Sequence, residues 1–271
     1  MSSSGTELPI LLPEKGPRPQ SALRTVTALM LREMSTRYGR SPGGYIWAVI
    51  EPLFGILLLA VAFSLLVRSP PLGTSFVLFK ATGMMPFMLY GGIANSVGHA
   101  VQYSRPLLNY PGVTWLDTIV ARFVLNALTS ILVTYLILTG ILVWTGTRTV
   151  LDMGEIGMAI GLACLLGLGV GTMNCYLFMA FPVWEQAWAI ITRPLFLISG
   201  ILFVFEDLPR LVQQILWWNP LVHVIGLMRA GFYPMYAAAY VSLLYVLGVS
   251  MVLLVTGLLL LRRHHRDLLA K

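Results

Sequence analysis

The ionisable side chains of this chain are few and stand apart. Glu51, Asp117 and Glu155 lie near the ends of long apolar segments, His99 and His223 stand alone, and His264 and His265 follow Arg262 and Arg263. Proton- or sodium-coupled transport places carboxylates deep in the membrane, and no acid falls mid-segment here, which argues against it. A zinc hydrolase needs ligands at fixed spacing such as HExxH, and the histidines have none. No GxxxxGK[ST] phosphate loop occurs, so ATP is not bound in that way. No acid, base and nucleophile converge on one site, so the chain is not expected to be an enzyme or to hold a cofactor or metal of its own. Arg193 is the exception, because it sits inside an apolar run and precedes Pro194. An arginine there costs about 2.5–3.5 kcal/mol or more on insertion, and the chemistry it offers is electrostatic: the holding of an anion.

The elements that position these residues are membrane helices. Of 271 residues 57% are hydrophobic and 11% charged, with a mean hydropathy of +0.80, against roughly 25% charged in soluble domains. The net charge of +7 forms no basic stripe, so nucleic acid is not an expected partner. A crossing needs about 20 apolar residues, which gives an all-α membrane protein with spans expected at 45–68, 76–100, 117–144, 155–181, 187–205 and 238–261. Lys15, Arg18, Arg24, Arg32, Arg37, Arg40, Arg105, Arg122, Arg262, Arg263, Arg266 and Lys271 fall on one side, against Arg68, Arg148, Arg210 and Arg229 on the other. The excess puts both termini in the cytoplasm and requires an even number of crossings. Arg193 is then expected within the fifth crossing, turned away from lipid.

The connections carry most of the local information. Residues 1–20 read as a disordered tail. Residues 21–44 read as a helix lying in the membrane surface, with Leu23, Val26, Met30 and Met34 on one stripe, ended by a "GRSPGG" elbow. Residues 101–116 form a compact cytoplasmic element. Residues 206–236 are too apolar for a solvated loop: two short helices separated by Asn219 and Pro220 are expected to dip back into the outer leaflet, capping a pathway. Leu208, Trp217, Trp218, Asn219, Pro220, His223 and Arg229 are its candidate gate residues. Residues 262–271 form a short cytoplasmic tail. Lys80 is read as an anchor that snorkels to the surface, and Cys164 and Cys175 as small packing residues.

Three stretches, "LREMSTRYGRSPGGYIWAVIEPL", "LLNYPGVTWLDTIVARFV" and "SGILFVFEDLPRLVQQILWWNPLVHVIGLMRAGF", resemble the membrane subunit of type-2 ABC exporters, and within them the capsular polysaccharide exporters of KpsM type. The resemblance covers nearly everything from residue 21 onward. It implies an inner-membrane homodimer bound to two copies of a separate ATP-binding subunit, which would hold the ATP and Mg. It also implies lipid-linked polysaccharide as cargo and periplasmic and outer-membrane capsule export proteins as further partners. O-antigen, teichoic acid or a drug remains an alternative cargo, and a membrane assembly protein that transports nothing is the alternative from another class.

On this resemblance Tyr103, Arg105, Leu107, Asn109 and Tyr110 would couple to the ATPase subunit. Arg32, Arg37 and Arg40 would anchor the interface helix, with Glu51 paired to Arg37 or Arg40. Arg193 would hold the phosphate of the lipid-linked substrate, or else pair with Glu185 or Glu51. Trp47, Trp184 and Trp188 would face sugar rings, unless they are interfacial anchors like many membrane aromatics. Gly157/Gly161 and Gly167/Gly171 form two GxxxG pairs, read first as packing within one chain.

Overall fold

The computed structural model describes residues 19–37, 44–108, 113–146 and 149–270, and their regular structure is entirely helical. The helices are α1 (Pro19–Arg37), α2 (Tyr45–Leu66), α3 (Phe76–Gly98), α4 (Ala100–Ser104), α5 (Trp115–Thr145), α6 (Met153–Ala180), α7 (Pro182–Ile198), α8 (Arg210–Leu216), α9 (Pro220–Phe232) and α10 (Leu243–Ala270). The tail before Pro19, most of the elbow, Arg40, Asn109, Tyr110 and the side chain of Arg37 lie outside the described residues.

Local chemistry sets the helix ends. Thr114 and Asp117 form a reciprocal cap on α5: Thr114 Oγ1 accepts from the Asp117 N–H at 3.2 Å and Asp117 Oδ2 from the Thr114 N–H at 2.9 Å. Asp152 caps α6 by accepting from the N–H groups of Gly154 and Glu155. Asn219 caps α9 through Leu221, with Pro220 in the first turn where its missing N–H costs nothing. Acids therefore gather at segment ends because the first N–H groups of a helix need acceptors there.

Helices α3 and α6 form the centre of the bundle, with α2 and α5 against α3, α10 against α6, and α9 set between α3 and α6. The α6 glycines permit that closeness. A Cβ on Gly167 would stand 2.9 Å from the Tyr90 carbonyl oxygen, on Gly171 2.9 Å from that of Ala94, and on Gly169 2.5 Å from that of Ser250 in α10. Gly167 and Gly171 thus pack within one chain, while Gly157 and Gly161 have nothing within 4 Å of a Cβ. Gly169→Ala is expected to lower the thermal midpoint in detergent, since overpacking a core costs about 1–3 kcal/mol. Gly161→Ala should leave the midpoint unchanged or raise it, and equal midpoints for the two variants would refute this account of the packing. Cys164 and Cys175 are buried, unbridged core residues.

Five described helices are long and apolar enough to cross a membrane: α2, α3, α5, α6 and α10. The segment expected at 187–205 differs in its bounds. It begins at Pro182 and ends at Ile198 as the 17-residue α7, and the chain then turns at Gly200, whose φ of 89° lies where only glycine is at ease. A helix of that length is about 25 Å long, at the short end of what a bilayer requires. No residue of α7 is buried within the chain. The α1 face that docks on α5 is likewise not the whole expected stripe: Val26, Leu29, Met30 and Glu33 are half-buried, while Leu23 and Met34 are exposed. The stripe is rotated because a charged residue, Glu33, turns inward.

Candidate functional site

Two clusters of polar side chains organise the ends of the bundle. At the end that carries α1 and the last turns of α10, Arg122 of α5 is the hub. Its guanidinium donates to Glu33 Oε2 of α1 at 2.8 Å and to the Ser96 carbonyl of α3 at 3.4 Å, and it lies 5.0 Å from the Tyr103 ring of α4. The two charged side chains are only 11% and 21% exposed, so solvent screens the pair weakly. Asn126, one turn on, donates to Ser96 Oγ at 2.6 Å. His99, between α3 and α4, bridges to Glu185 Oε1 of α7 at 3.1 Å, with its ring 4.9 Å from Phe178 and 5.6 Å from Tyr103. A cavity of about 560 Å³ lies among these groups, with Arg32, Glu33, His99, Tyr103, Leu107 and Arg122 in its wall. Through Tyr103, Arg122 and His99, α4 thus lies in one contact network with α1, α5 and α7.

At the far end two cations are buried. Arg229 of α9 is 2% exposed and Lys80 of α3 is 1% exposed. Arg229 donates to the carbonyls of Phe203 at 2.7 Å and Ile201 at 3.1 Å, and Lys80 Nζ donates to that of Leu202 at 3.3 Å. Three successive carbonyls of the turn after α7 are thus held by two cations. Aromatic faces supply the remaining stabilisation: Lys80 Nζ is 3.4 Å from the Phe63 ring centre, and the Arg229 guanidinium is 4.1 Å from that of Phe79. Arg229 Nε has no hydrogen-bond partner among the described residues, so the grip is incomplete. Lys80 is no surface anchor, because the turn at 201–203 folds over it.

The α8–α9 pair is fastened by His223. Its Nδ1 accepts from the Ser242 N–H at 3.2 Å, which obliges Nε2 to carry the proton it donates to the Trp217 carbonyl at 2.7 Å. Trp217 donates to the Tyr240 carbonyl and packs its ring on His223, Trp218 and Tyr245. Tyr236 donates to Glu206 at 2.9 Å, and burial, then Tyr240 and Glu206, raise its hydroxyl above the ordinary phenol range, so it stays a donor. Leu208 is half-buried and Trp218 is exposed.

The remaining candidates are dispersed. Arg193 stands exposed on α7. Its proposed salt bridge with Glu185 is not made, because Glu185 faces His99. Trp184 donates to Asn174 Oδ1 at 3.1 Å, with Trp188 next to it, and Trp47 is exposed on α2. Glu51 is exposed, and its expected partners fall outside the described residues. Arg105 and Leu107 form a single helical turn after α4. Sequence reasoning missed the Glu33–Arg122 and His99–Glu185 pairs, whose members lie 89 and 86 residues apart, and no local pattern links them.

A family model described as ABC-2 type transporter matches residues 24–233. The chain is 33% identical over 247 residues to the polysialic acid transport protein KpsM of Escherichia coli, covering 90% of this chain and 95% of that one. It is 26% identical to the capsule polysaccharide export inner-membrane protein CtrC of Neisseria meningitidis, over 89% of this chain and 91% of that one. It is 25% identical to BexB of Haemophilus influenzae, which bears the same description, over 90% and 92% of the two chains.

Proposed function

Since the chain belongs to the ABC-2 type transporter family of membrane proteins, we propose that it is the transmembrane subunit of an exporter that moves lipid-linked capsular polysaccharide across the bacterial inner membrane. The observation that carries this reading is likeness along nearly the whole chain to proteins named for polysialic acid and capsule polysaccharide. In this reading α7 completes six crossings, both termini are cytoplasmic, and two copies of the chain surround the conduit. Two separate subunits bind ATP and Mg and hydrolyse the nucleotide, and envelope proteins carry the glycan onward.

The geometry supplies a route for the work. The turn at Tyr103–Leu107 receives the movement of the ATPase subunit, Arg122 passes it to α1 and α5, and the His99–Glu185 pair passes it to α7. At the outer end, α8, α9 and the carbonyls gripped by Lys80 and Arg229 form the gate. Arg193 is exposed on α7, a helix none of whose residues is fully buried in its own chain, and in the dimer it faces the conduit or the second copy, where a phosphate of the cargo can pair with it.

The test is ATP hydrolysis by this chain reconstituted with its ATP-binding subunit, with and without phospholipid-linked capsular glycan. Glycan is expected to stimulate hydrolysis, and Arg193→Ala to weaken that stimulation with assembly intact. Stimulation by small hydrophobic compounds and none by glycan would move the assignment to a drug or lipid exporter.

A further inference from the structure

Helix α2 packs on α3 from its midpoint toward the far end. There a Cβ on Gly55 would stand 2.6 Å from the Met84 methyl group, Ile56 is buried, and Phe63 covers Lys80. Nearer the end that carries α1, the two helices part. Ala48, Glu51 and Pro52 then stand across a cleft of about 420 Å³ from α3 and α5. Two adjacent glycines of α3 keep it open: a Cβ on Gly91 would meet nothing within 4 Å, and one on Gly92 only Ser130 Oγ at 3.8 Å.

The lining joins a polar wall to an apolar one. Glu51, Asn95, Asn126, Thr129, Ser130 and Thr134 contribute polar groups, beside an apolar wall that includes Met85, Met88 and Val133. Among the described residues, the side chains of Glu51, Asn95 and Ser130 make no hydrogen bond or ion pair. Glu51 and Asn95 are exposed and Ser130 is half-buried, so these uncommitted groups are open to a ligand entering from the α1 side, and polar groups placed so in membrane segments mark binding sites or pathways.

We propose that this cleft binds the sugar head of an amphiphile that reaches it sideways from the leaflet on the α1 side. Among the described residues no cation lines the cleft, and the Glu51 carboxylate repels a phosphate there. Neutral hydroxyls suit it instead, since a carboxylate accepts from them while an amide and hydroxyls both give and accept. A compact ammonium head would satisfy Glu51 alone and leave Asn95 and Ser130 idle. The apolar wall receives the chain next to the sugar. This rests on the export reading for the claim that the amphiphile is the cargo, and it adds a glycan subsite removed from Arg193.

The test uses the full chain in lipid nanodiscs and a photoactivatable alkyl glucoside with its diazirine next to the sugar. Adducts are expected on Met85, Met88 or Val133, displaced by excess alkyl glucoside but not by alkylphosphocholine or an alkylammonium. Glu51→Gln, Asn95→Ala and Ser130→Ala should each weaken labelling by about three- to tenfold, the worth of one hydrogen bond. Gly91→Leu, whose Cβ has free space, should fill the cleft and abolish labelling without loss of thermal stability. Labelling spread evenly along the lipid-facing belt, or unaffected by Gly91→Leu, would overturn the site, and displacement by the alkylammonium would overturn its sugar chemistry. In cells that export capsule with the wild-type chain, Gly91→Leu is expected to block export. Normal export by Gly91→Leu would overturn the cargo assignment while leaving the export reading intact.

Discussion

Arg229→Met is expected to unseat the turn after α7 and to abolish export. The substitution keeps the volume and apolar stem of the side chain but leaves the carbonyls of Ile201 and Phe203 without their donors. Each orphaned buried acceptor costs about 1–3 kcal/mol, so two shift the docked population of the turn by more than an order of magnitude. Arg229→Lys should retain part of the function, because an ammonium can reach one of the two carbonyls. Lys80→Met should do less harm, since Lys80 serves only Leu202. The readout is maleimide labelling of a cysteine introduced at Leu202 in a chain whose Cys164 and Cys175 are replaced. Labelling should rise steeply in Arg229→Met and modestly in Lys80→Met. Unchanged labelling in Arg229→Met would mean that the cation stabilises α9 alone and that the turn is held by other contacts.

The second large effect is expected at Arg122. Arg122→Ala removes at once the ion pair to α1, the hydrogen bond to the Ser96 carbonyl of α3 and the stacking on Tyr103 of α4. A hydrogen bond between charged groups this shielded contributes about 1.5–3 kcal/mol, and removing Arg122 takes this cationic partner from the half-buried Glu33. Stimulation of ATP hydrolysis by cargo should be lost while the chain still reaches the membrane, because the bundle core of α3, α6 and α9 is untouched. The exchanged pair Glu33→Arg with Arg122→Glu should recover part of the stimulation that each single change destroys. If the exchange recovers nothing, the Ser96 and Tyr103 contacts rather than the ion pair carry the coupling.

These two residues show where sequence reasoning stops. The charge pattern of Arg122 is legible, but its partner is not. The reading from position pairs Glu51 with Arg37 or Arg40 across the elbow, and those two side chains lie outside the described residues. The tie that position did not suggest is the one between Glu33 of the interface helix and Arg122, 89 residues away. Lys80 was misread for a related reason. It lies four residues into α3, a depth from which a lysine reaches water, and only the turn at 201–203 folding over it takes that surface away. The same holds for α7, whose charge and Pro194 were visible, whereas its bounds depend on where Gly200 lets the chain reverse.

Hydrophobic length and helix-end chemistry, local properties read over a few turns, make the membrane setting, the all-helical fold and the places of most apolar helices legible in the sequence, and the likeness of whole stretches to known proteins makes the family legible. Only the tertiary structure decided which charges meet, which cations are buried and where the bundle parts to leave a polar cleft. Those outcomes depend on the approach of helices distant in the chain, set by shape and by the need to satisfy polar groups away from water.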